Sequence, residues 1–245
     1  MVRSVNHEER RRQVLGAVME HYIKTALAVS SEDICRQFDC SSATIRTIMG
    51  ELEEHGYITH VYTSSGRVPT DKGYRYYVDM LLSQMQLVQE EKEHLEKEYC
   101  RHKSKLEDIL ETTLEVLSTY TQCTGIVSLL RPQSKIYYNG ASFITQYPEL
   151  GDIEKMRTIL KFLEEKKKLL DIINRDLEKK LNIYIGREMD CQEIENCSLV
   201  VSTYDFENKP YGRVSVLGPR NMDYSRIIPT IEYVSDLVSK ALSEL

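Results

Sequence analysis

Residues 41–73 read SSATIRTIMGELEEHGYITHVYTSSGRVPTDKG, and this stretch decides the fold of the first part of the chain. Ile45, Ile48, Met49 and Leu52 recur at i, i+3, i+4 and i+7, the apolar stripe of an amphipathic helix. Ser41 or Ser42 supplies the cap, because a serine oxygen accepts an otherwise unpaired backbone N–H. The face left outward carries Ser42, Thr44, Arg46, Thr47 and Gly50. These are short, hydrogen-bonding residues with a single guanidinium, a set suited to base edges and phosphates in a major groove. Gly56 ends the helix, Tyr57 to Thr63 alternates as a strand, and Ser64-Ser65-Gly66-Arg67 forms a turn with one positive charge at its edge. A capped helix followed at once by such a hairpin is the pattern of a winged helix-turn-helix.

Upstream, His7 to about Thr25 predicts a first helix burying Val14, Leu15, Val18, Met19, Tyr22 and Ile23. Ser30-Ser31-Glu32-Asp33 predicts a short second helix with a capping-box-like start. A turn around Phe38–Ser41 then separates it from the outward-facing helix, the spacing that helix-turn-helix geometry needs. Downstream, Thr70 caps a helix whose apolar side is Tyr74, Tyr77, Val78, Leu81 and Leu82. Gly73 near its start weakens that helix, so its presence implies close packing.

At 245 residues the chain accommodates two domains. No apolar run approaches a membrane span and the N-terminus lacks a signal-peptide core, so a cytoplasmic location is expected. Six scattered cysteines without C-x-x-C or paired histidine spacing read as reduced side chains. The formal net charge of −6 argues against nonspecific coating of nucleic acid. A specific contact depends instead on where the positive charges sit: Arg10, Arg11 and Arg12, Arg46, and Arg67, Lys72 and Arg75 around the hairpin. The acidic Glu51, Glu53 and Glu54 place any DNA contact on the N-terminal half of the helix. Among catalytic motifs, no G-x-S-x-G, Walker loop, Rossmann glycine pattern or H-E-x-x-H occurs, so neither catalytic residues, cofactor nor metal is expected.

From Ser83 to Tyr120 the chain is polar and without Gly or Pro. Leu95, Tyr99, His102, Leu106, Ile109, Thr113, Val116 and Tyr120 step alternately by four and three, an imperfect heptad seam. A dimerising connector is favoured slightly over a solvated helix lying on the C-terminal part. Beyond it, strands are expected at Gly125–Leu130, Lys135–Asn139, Leu181–Ile185, Ser198–Phe206 and Gly212–Leu217. A helix or helical pair spans Asp152–Leu181, and a final helix is capped by Asp223. About five strands with helices packed on them give an α+β arrangement of the kind small sensor domains use. The Met222–Arg226 stretch reads as a helix start and packing element, with Arg226 paired across a subunit or domain contact.

The segments ATIRTIMGELEEHGYI and TSSGRVPTDKGYRYYVDMLL together resemble the winged-helix domain of the HrcA family of bacterial heat-inducible transcription repressors. The later stretch IYIGREMDCQEIENCSLVVSTYDFENKPYGRVSVLGPRNMDYSRIIPTIEYV resembles that family's C-terminal half, and IYYNGASFITQYPEL its strand entering the middle helix. The resemblance implies an α+β multidomain chain: a winged helix-turn-helix over 1–82, a long helical connector over 83–122, and a GAF-like α/β domain over 123–245. It also implies a homodimer on an inverted-repeat operator upstream of chaperone operons, assisted by the chaperonin. Carried over, DNA contacts fall on Ser41, Ser42, Thr44, Arg46 and Thr47 of the helix and on Thr63, Ser64, Ser65, Gly66 and Arg67 of the wing. The family usually has Pro at Ser42 and Asn at Thr47, and Thr cannot make the bidentate pair with adenine that Asn makes. The chain is also shorter than the family, the gap falling between about Arg131 and Lys135, where the family carries further strands and an inserted dimerisation subdomain. Two other readings stay open: a winged-helix regulator of other genes controlled by a small molecule, and a protein-interaction module.

Overall fold

The stripe of Ile45, Ile48, Met49 and Leu52 is buried, each residue 4% exposed or less. Burial of four such side chains contributes about 1.5–3 kcal/mol apiece, enough to fix the rotation of the helix that bears them. In this computed structural model the described residues are 2–62, 66–82, 85–100, 105–130, 135–147, 150 and 152–244, the side chains of 2–6, 98 and 100 excepted. They form two compact units, Met1–Gln84 and Met85–Leu245.

The first unit runs α1 (Val2–Thr25), α2 (Ser31–Cys35), α3 (Ser42–Glu54), β1 (Ile58–His60), β2 (Arg67–Pro69) and α4 (Asp71–Leu81). Before α2 one half of the expected capping box is made: the Ser30 backbone N–H and hydroxyl both donate to the Asp33 carboxylate at 2.7 Å, while the Ser30 side chain accepts no capping bond. Strands β1 and β2 pair antiparallel, Thr59 opposite Val68. Arg67 also exchanges two backbone hydrogen bonds of 2.8 Å with Val29, so β2 lies between β1 and the segment entering α2. The expected close packing at Gly73 is real. A Cβ there would stand 2.1 Å from the Tyr57 carbonyl oxygen, and that oxygen also accepts the Thr70 N–H and hydroxyl, both at 3.1 Å.

The second unit comprises α5 (Gln89–Cys100), α6 (Leu106–Thr121), β3 (Thr124–Leu129), β4 (Lys135–Asn139), α7 (Ile153–Glu164), α8 (Lys166–Ile173), β5 (Leu181–Ile185), β6 (Cys197–Phe206), β7 (Lys209–Pro219) and α9 (Tyr224–Ser243). Its strands make one antiparallel sheet in the order β4-β3-β7-β6-β5. Strands β6 and β7 are joined through Glu207 and Asn208, whose φ values of 51° and 59° are both left-handed. Two left-handed central residues make a type I′ turn, whose twist matches that of the strands it joins. On one sheet face Ile126, Leu199, Val201 and Leu217 pack with Ile159, Phe162 and Leu163 of α7 and Leu169, Ile172 and Ile173 of α8. On the other, α6 and α9 cover the sheet, and the Ser202 hydroxyl donates to that of Ser235 at 2.9 Å.

The structure departs from the expected separate connector over 83–122. Helices α5 and α6 belong to the second unit, and the heptad positions Leu95, Tyr99, Ile109, Thr113 and Val116 are buried there, all at or under 8% exposure. The Tyr99 hydroxyl donates to Thr113 Oγ1 at 2.7 Å, tying α5 to α6 within one chain. A four-three spacing buries a helix stripe equally well against a neighbour in the same chain as against a second copy, and here the neighbour is internal. His102 lies outside the described residues. At the final helix, Asp223 occupies the cap position but its side chain makes no capping bond; instead it accepts the Ser225 hydroxyl at 2.5 Å. The Met222–Arg226 stretch packs as expected, with Met222 and Tyr224 buried and the Tyr224 hydroxyl donating to the Arg220 carbonyl at 2.8 Å. Arg226, expected to pair across a subunit or domain contact, instead stacks on the Tyr120 ring of the same unit, 4.2 Å from its centroid.

Candidate nucleic-acid interface

Ser41 is the residue that starts α3, its side chain accepting the Thr44 N–H at 3.2 Å and lying 3.0 Å from the Thr44 hydroxyl. No acidic residue stands in the first turn, so the partial positive charge of the helix N-terminus is open to an anion. Thr44, Arg46 and Thr47 are exposed as the periodicity requires, while Ser42 is half-buried. Thr47 donates its hydroxyl to the Ala43 carbonyl at 3.1 Å, which leaves its methyl and oxygen lone pairs outward. Arg46 has no partner among the described residues. Sequence reasoning missed Ala43, which is exposed on the same face. A small apolar residue carries no signal of its own, although i, i+3 and i+4 spacing puts it beside Arg46 and Thr47.

The C-terminal half of α3 is committed to holding the hairpin. Glu53 accepts the Arg67 Nε at 3.0 Å, and its other oxygen pairs with His60 Nδ1 and accepts the His60 N–H at 3.2 Å. One carboxylate thus joins α3 to both strands. Burial opposes its ionisation, but the bonds from His60 and Arg67 prevail and hold the carboxyl below its ordinary value. Glu51 faces His7 of α1 across 3.5 Å. Lys72 donates to the His55 carbonyl just past the C-terminus of α3 at 2.8 Å and lies over the Tyr57 ring.

These contacts revise the expected wing. Arg67 is not a probe at the tip: its side chain is 14% exposed and its charge is spent on Glu53. Gly66 is required by packing, since a Cβ there would lie 2.7 Å from the backbone of Ala28 and Val29. Thr63, Ser64 and Ser65 lie outside the described residues, and on their N-terminal side Val61 and Tyr62 are exposed. Of the remaining cations, Arg75 pairs with Asp79 at 3.8 Å, Arg11 with Glu8 at 3.4 Å, and Arg12 donates to the Tyr76 hydroxyl at 3.0 Å. Arg36, at the C-terminus of α2 and ahead of α3, is exposed. It went unremarked in the sequence because the positive charges were grouped around the hairpin. Among the described residues no cluster of three or more His, Cys, Asp or Glu is placed to hold a metal ion, and no helix is long and apolar enough to cross a membrane.

A helical unit with a small hairpin and a unit built on a five-stranded antiparallel sheet define a two-unit protein of mixed helix and sheet. The family model described as the HrcA protein C terminal domain matches residues 88–228, and the chain belongs to that family. Similar curated proteins are each named heat-inducible transcription repressor HrcA. That of Carboxydothermus hydrogenoformans is 27% identical, with 96% of this chain and 98% of the relative covered. That of Moorella thermoacetica is 28% identical, covering 97% and 98%. The alignment to the first extends over 335 positions, which a chain of 245 residues cannot fill, so at least 90 of the relative's positions have no counterpart here. A crystal structure of a protein described as hypothetical shares the fold, with a TM-score of 0.80, 19% identity, and 96% of this chain and 98% of that one covered.

Proposed function

We propose that this protein is a heat-inducible transcription repressor that reads its operator through a winged helix-turn-helix in the first unit. The observation that carries the reading is the division of α3. Its first two turns present Ala43, Thr44, Arg46 and Thr47 on an exposed face free of acidic residues, while Glu51 and Glu53 in its second half are paired with His7, and with Arg67 and His60. In this reading α3 enters the major groove with Arg46 on a base edge or phosphate, and Ser41, Ser42, Thr44 and Thr47 contribute hydroxyl contacts near the N-terminus. Arg36 meets the backbone beside it. The wing contributes Tyr62 and the tip residues Thr63, Ser64 and Ser65, with Arg67 and Gly66 setting its position.

The second unit is GAF-like and serves regulation rather than catalysis. The protein acts in the cytoplasm as a homodimer on an inverted repeat upstream of chaperone genes, with half-sites about one or two helical turns apart, and chaperonin titration or heat relieves repression. Because the heptad residues of α5 and α6 are buried within one chain, the dimer contact lies on another surface.

Anisotropy titrations of the purified protein against the inverted repeat upstream of this organism's chaperonin genes test the reading. Arg46→Ala should weaken binding by about 10-fold or more if Arg46 meets a base, or lower the salt slope by about one if it meets phosphate. The melting temperature should not move, since Arg46 supports nothing in the fold. Unchanged affinity and unchanged salt slope would overturn the assignment of α3.

A further inference from the structure

The face of the sheet beneath α7 and α8 is not uniformly apolar. Arg213 of β7 stands between Ser128 of β3 and Thr203 of β6 in one cross-strand row, and Ser215 follows two residues along β7. Ser128, Ser215 and Arg213 are 0% exposed and Thr203 is 6% exposed. Ser128 Oγ, Ser215 Oγ, Thr203 Oγ1 and Arg213 Nε are all buried without a hydrogen-bond partner in the chain. Directly opposed residues on neighbouring strands have Cβ atoms about 5 Å apart, so Ser128 and Thr203 flank Arg213 on its two sides and Ser215 lies next along the same face. A single buried polar atom left unpaired costs about 1–3 kcal/mol, and native interiors hold few of them. Three unpaired hydroxyls beside a guanidinium that itself keeps a free Nε is a pattern that an occupant resolves.

The charge indicates what kind of occupant. The described bonds of Arg213 go to neutral acceptors: NH2 to the Asp176 carbonyl at 2.7 Å and NH1 to the Lys179 carbonyl at 3.4 Å. The Asp176 carboxylate is engaged by the Tyr184 hydroxyl at 2.8 Å, and Asp176 is itself exposed. Burial pushes the Arg213 guanidinium below its ordinary value, with only partial compensation from Tyr184 and Asp176. A buried charge held by carbonyls alone is expensive, and a charge-assisted partner removes most of that cost.

We propose that Arg213, Ser128, Ser215 and Thr203 form an internal binding site for a small oxyanion, a carboxylate or a phosphate, in the second unit. The guanidinium Nε supplies the charged donor and the three hydroxyls, free to rotate, supply the others. Access is through the turn after α8. Asn182 Nδ2 donates to the same two carbonyls as Arg213, Asp176 at 2.9 Å and Lys179 at 3.3 Å. The turn therefore keeps one anchor when Arg213 swings toward an anion.

The test reads the protein alone and is independent of DNA binding. Thermal melts of the full chain are recorded in inorganic phosphate and in acetate, against chloride at matched ionic strength. The expected result is a saturable rise for one of the two oxyanions, about 5–10 °C at a hundredfold excess over Kd; which one responds identifies the source. Arg213→Met, close in volume and uncharged, should abolish the rise. Ser215→Ala keeps the arginine and the fold and should reduce the rise several-fold, so the proposal stays testable if the first variant does not fold. No rise beyond chloride, or a rise that survives in both variants, overturns the proposal. So does a wild type indifferent to both anions whose variants are simply less stable, the outcome expected if water bridges the four atoms.

Discussion

Replacing Glu53 with Gln isolates the charge that locks the hairpin onto α3. The substitution keeps the size of the side chain and one carbonyl acceptor but removes the carboxylate shared by Arg67 and His60. Hydrogen bonds to charged groups contribute about 1.5–3 kcal/mol each when shielded. Glu53 and Arg67 are 29% and 14% exposed at the side chain, and screening reduces that figure, so the expected loss at neutral pH is about 1–2 kcal/mol. For a unit of this size each kcal/mol shifts the melting temperature by about 4–8 °C, giving a fall of about 5–15 °C in the transition of the first unit. The pH dependence carries the sharper test. The folded-state value of Glu53 is depressed, so its contribution is fully present above the ordinary carboxylate value, about 4.3, and is lost as pH falls through the depressed one. The melting curves of the wild type and the Glu53→Gln variant should therefore be furthest apart at neutral pH and converge on acidification. Calorimetry at a series of pH values measures this. Equal melting temperatures at neutral pH, or a gap that does not narrow toward acid, would refute the lock.

Gly73→Ala forces a Cβ to within 2.1 Å of the Tyr57 carbonyl oxygen, and a backbone atom cannot yield as a side chain does. The expected cost is about 3 kcal/mol, seen as a fall of more than about 10 °C in the first unit's transition. Ser41→Ala removes the cap of α3 and should cost about 1 kcal/mol by urea denaturation, with a parallel loss of DNA affinity because the reading turn frays. Tyr99→Phe leaves the buried Thr113 hydroxyl without its donor. It should destabilise the second unit by about 1 kcal/mol and leave the association state unchanged in sedimentation, since the seam is internal.

Features set by local pattern were legible in the sequence. The stripe of α3, the cap at Ser41, the helical pair over 153–173 and all five strands of the sheet follow from periodicities of 3.6 and 2 and from turn residues. What escaped depends on partners distant in sequence. Arg67 reads as a free charge beside a glycine, and only the fold brings Glu53, fourteen residues earlier, against it. The seam of α5 and α6 has the same spacing whichever surface it faces. Arg213 alternates correctly with Ser215 and Leu217, yet a period of two cannot show that the face receiving it is covered. Ala43 has the opposite difficulty, for a small apolar residue gives no signal until its neighbours are seen to be exposed.

The corrections bear on how the first unit reaches specificity despite having ten Lys or Arg against eleven Asp or Glu in residues 1–82. Much of the charge around α3 and the hairpin is internally spent: Glu53 on Arg67 and His60, Glu51 on His7, Asp79 on Arg75, and Lys72 on the end of α3. Arg46 and Arg36 are exposed on α3 and at the end of α2, as are Arg10 and Lys24 on α1. In the proposed reading, bulk charge contributes little to affinity, and the contacts of a few residues on the first two turns decide it. Because Ala43, Arg46 and Thr47 are exposed and make no hydrogen bond or ion pair to another element among the described residues, the proposed reading expects operator preference to change at those positions with little effect on stability. The paired Glu53 of its second half has no such freedom, since changing it loosens the hairpin.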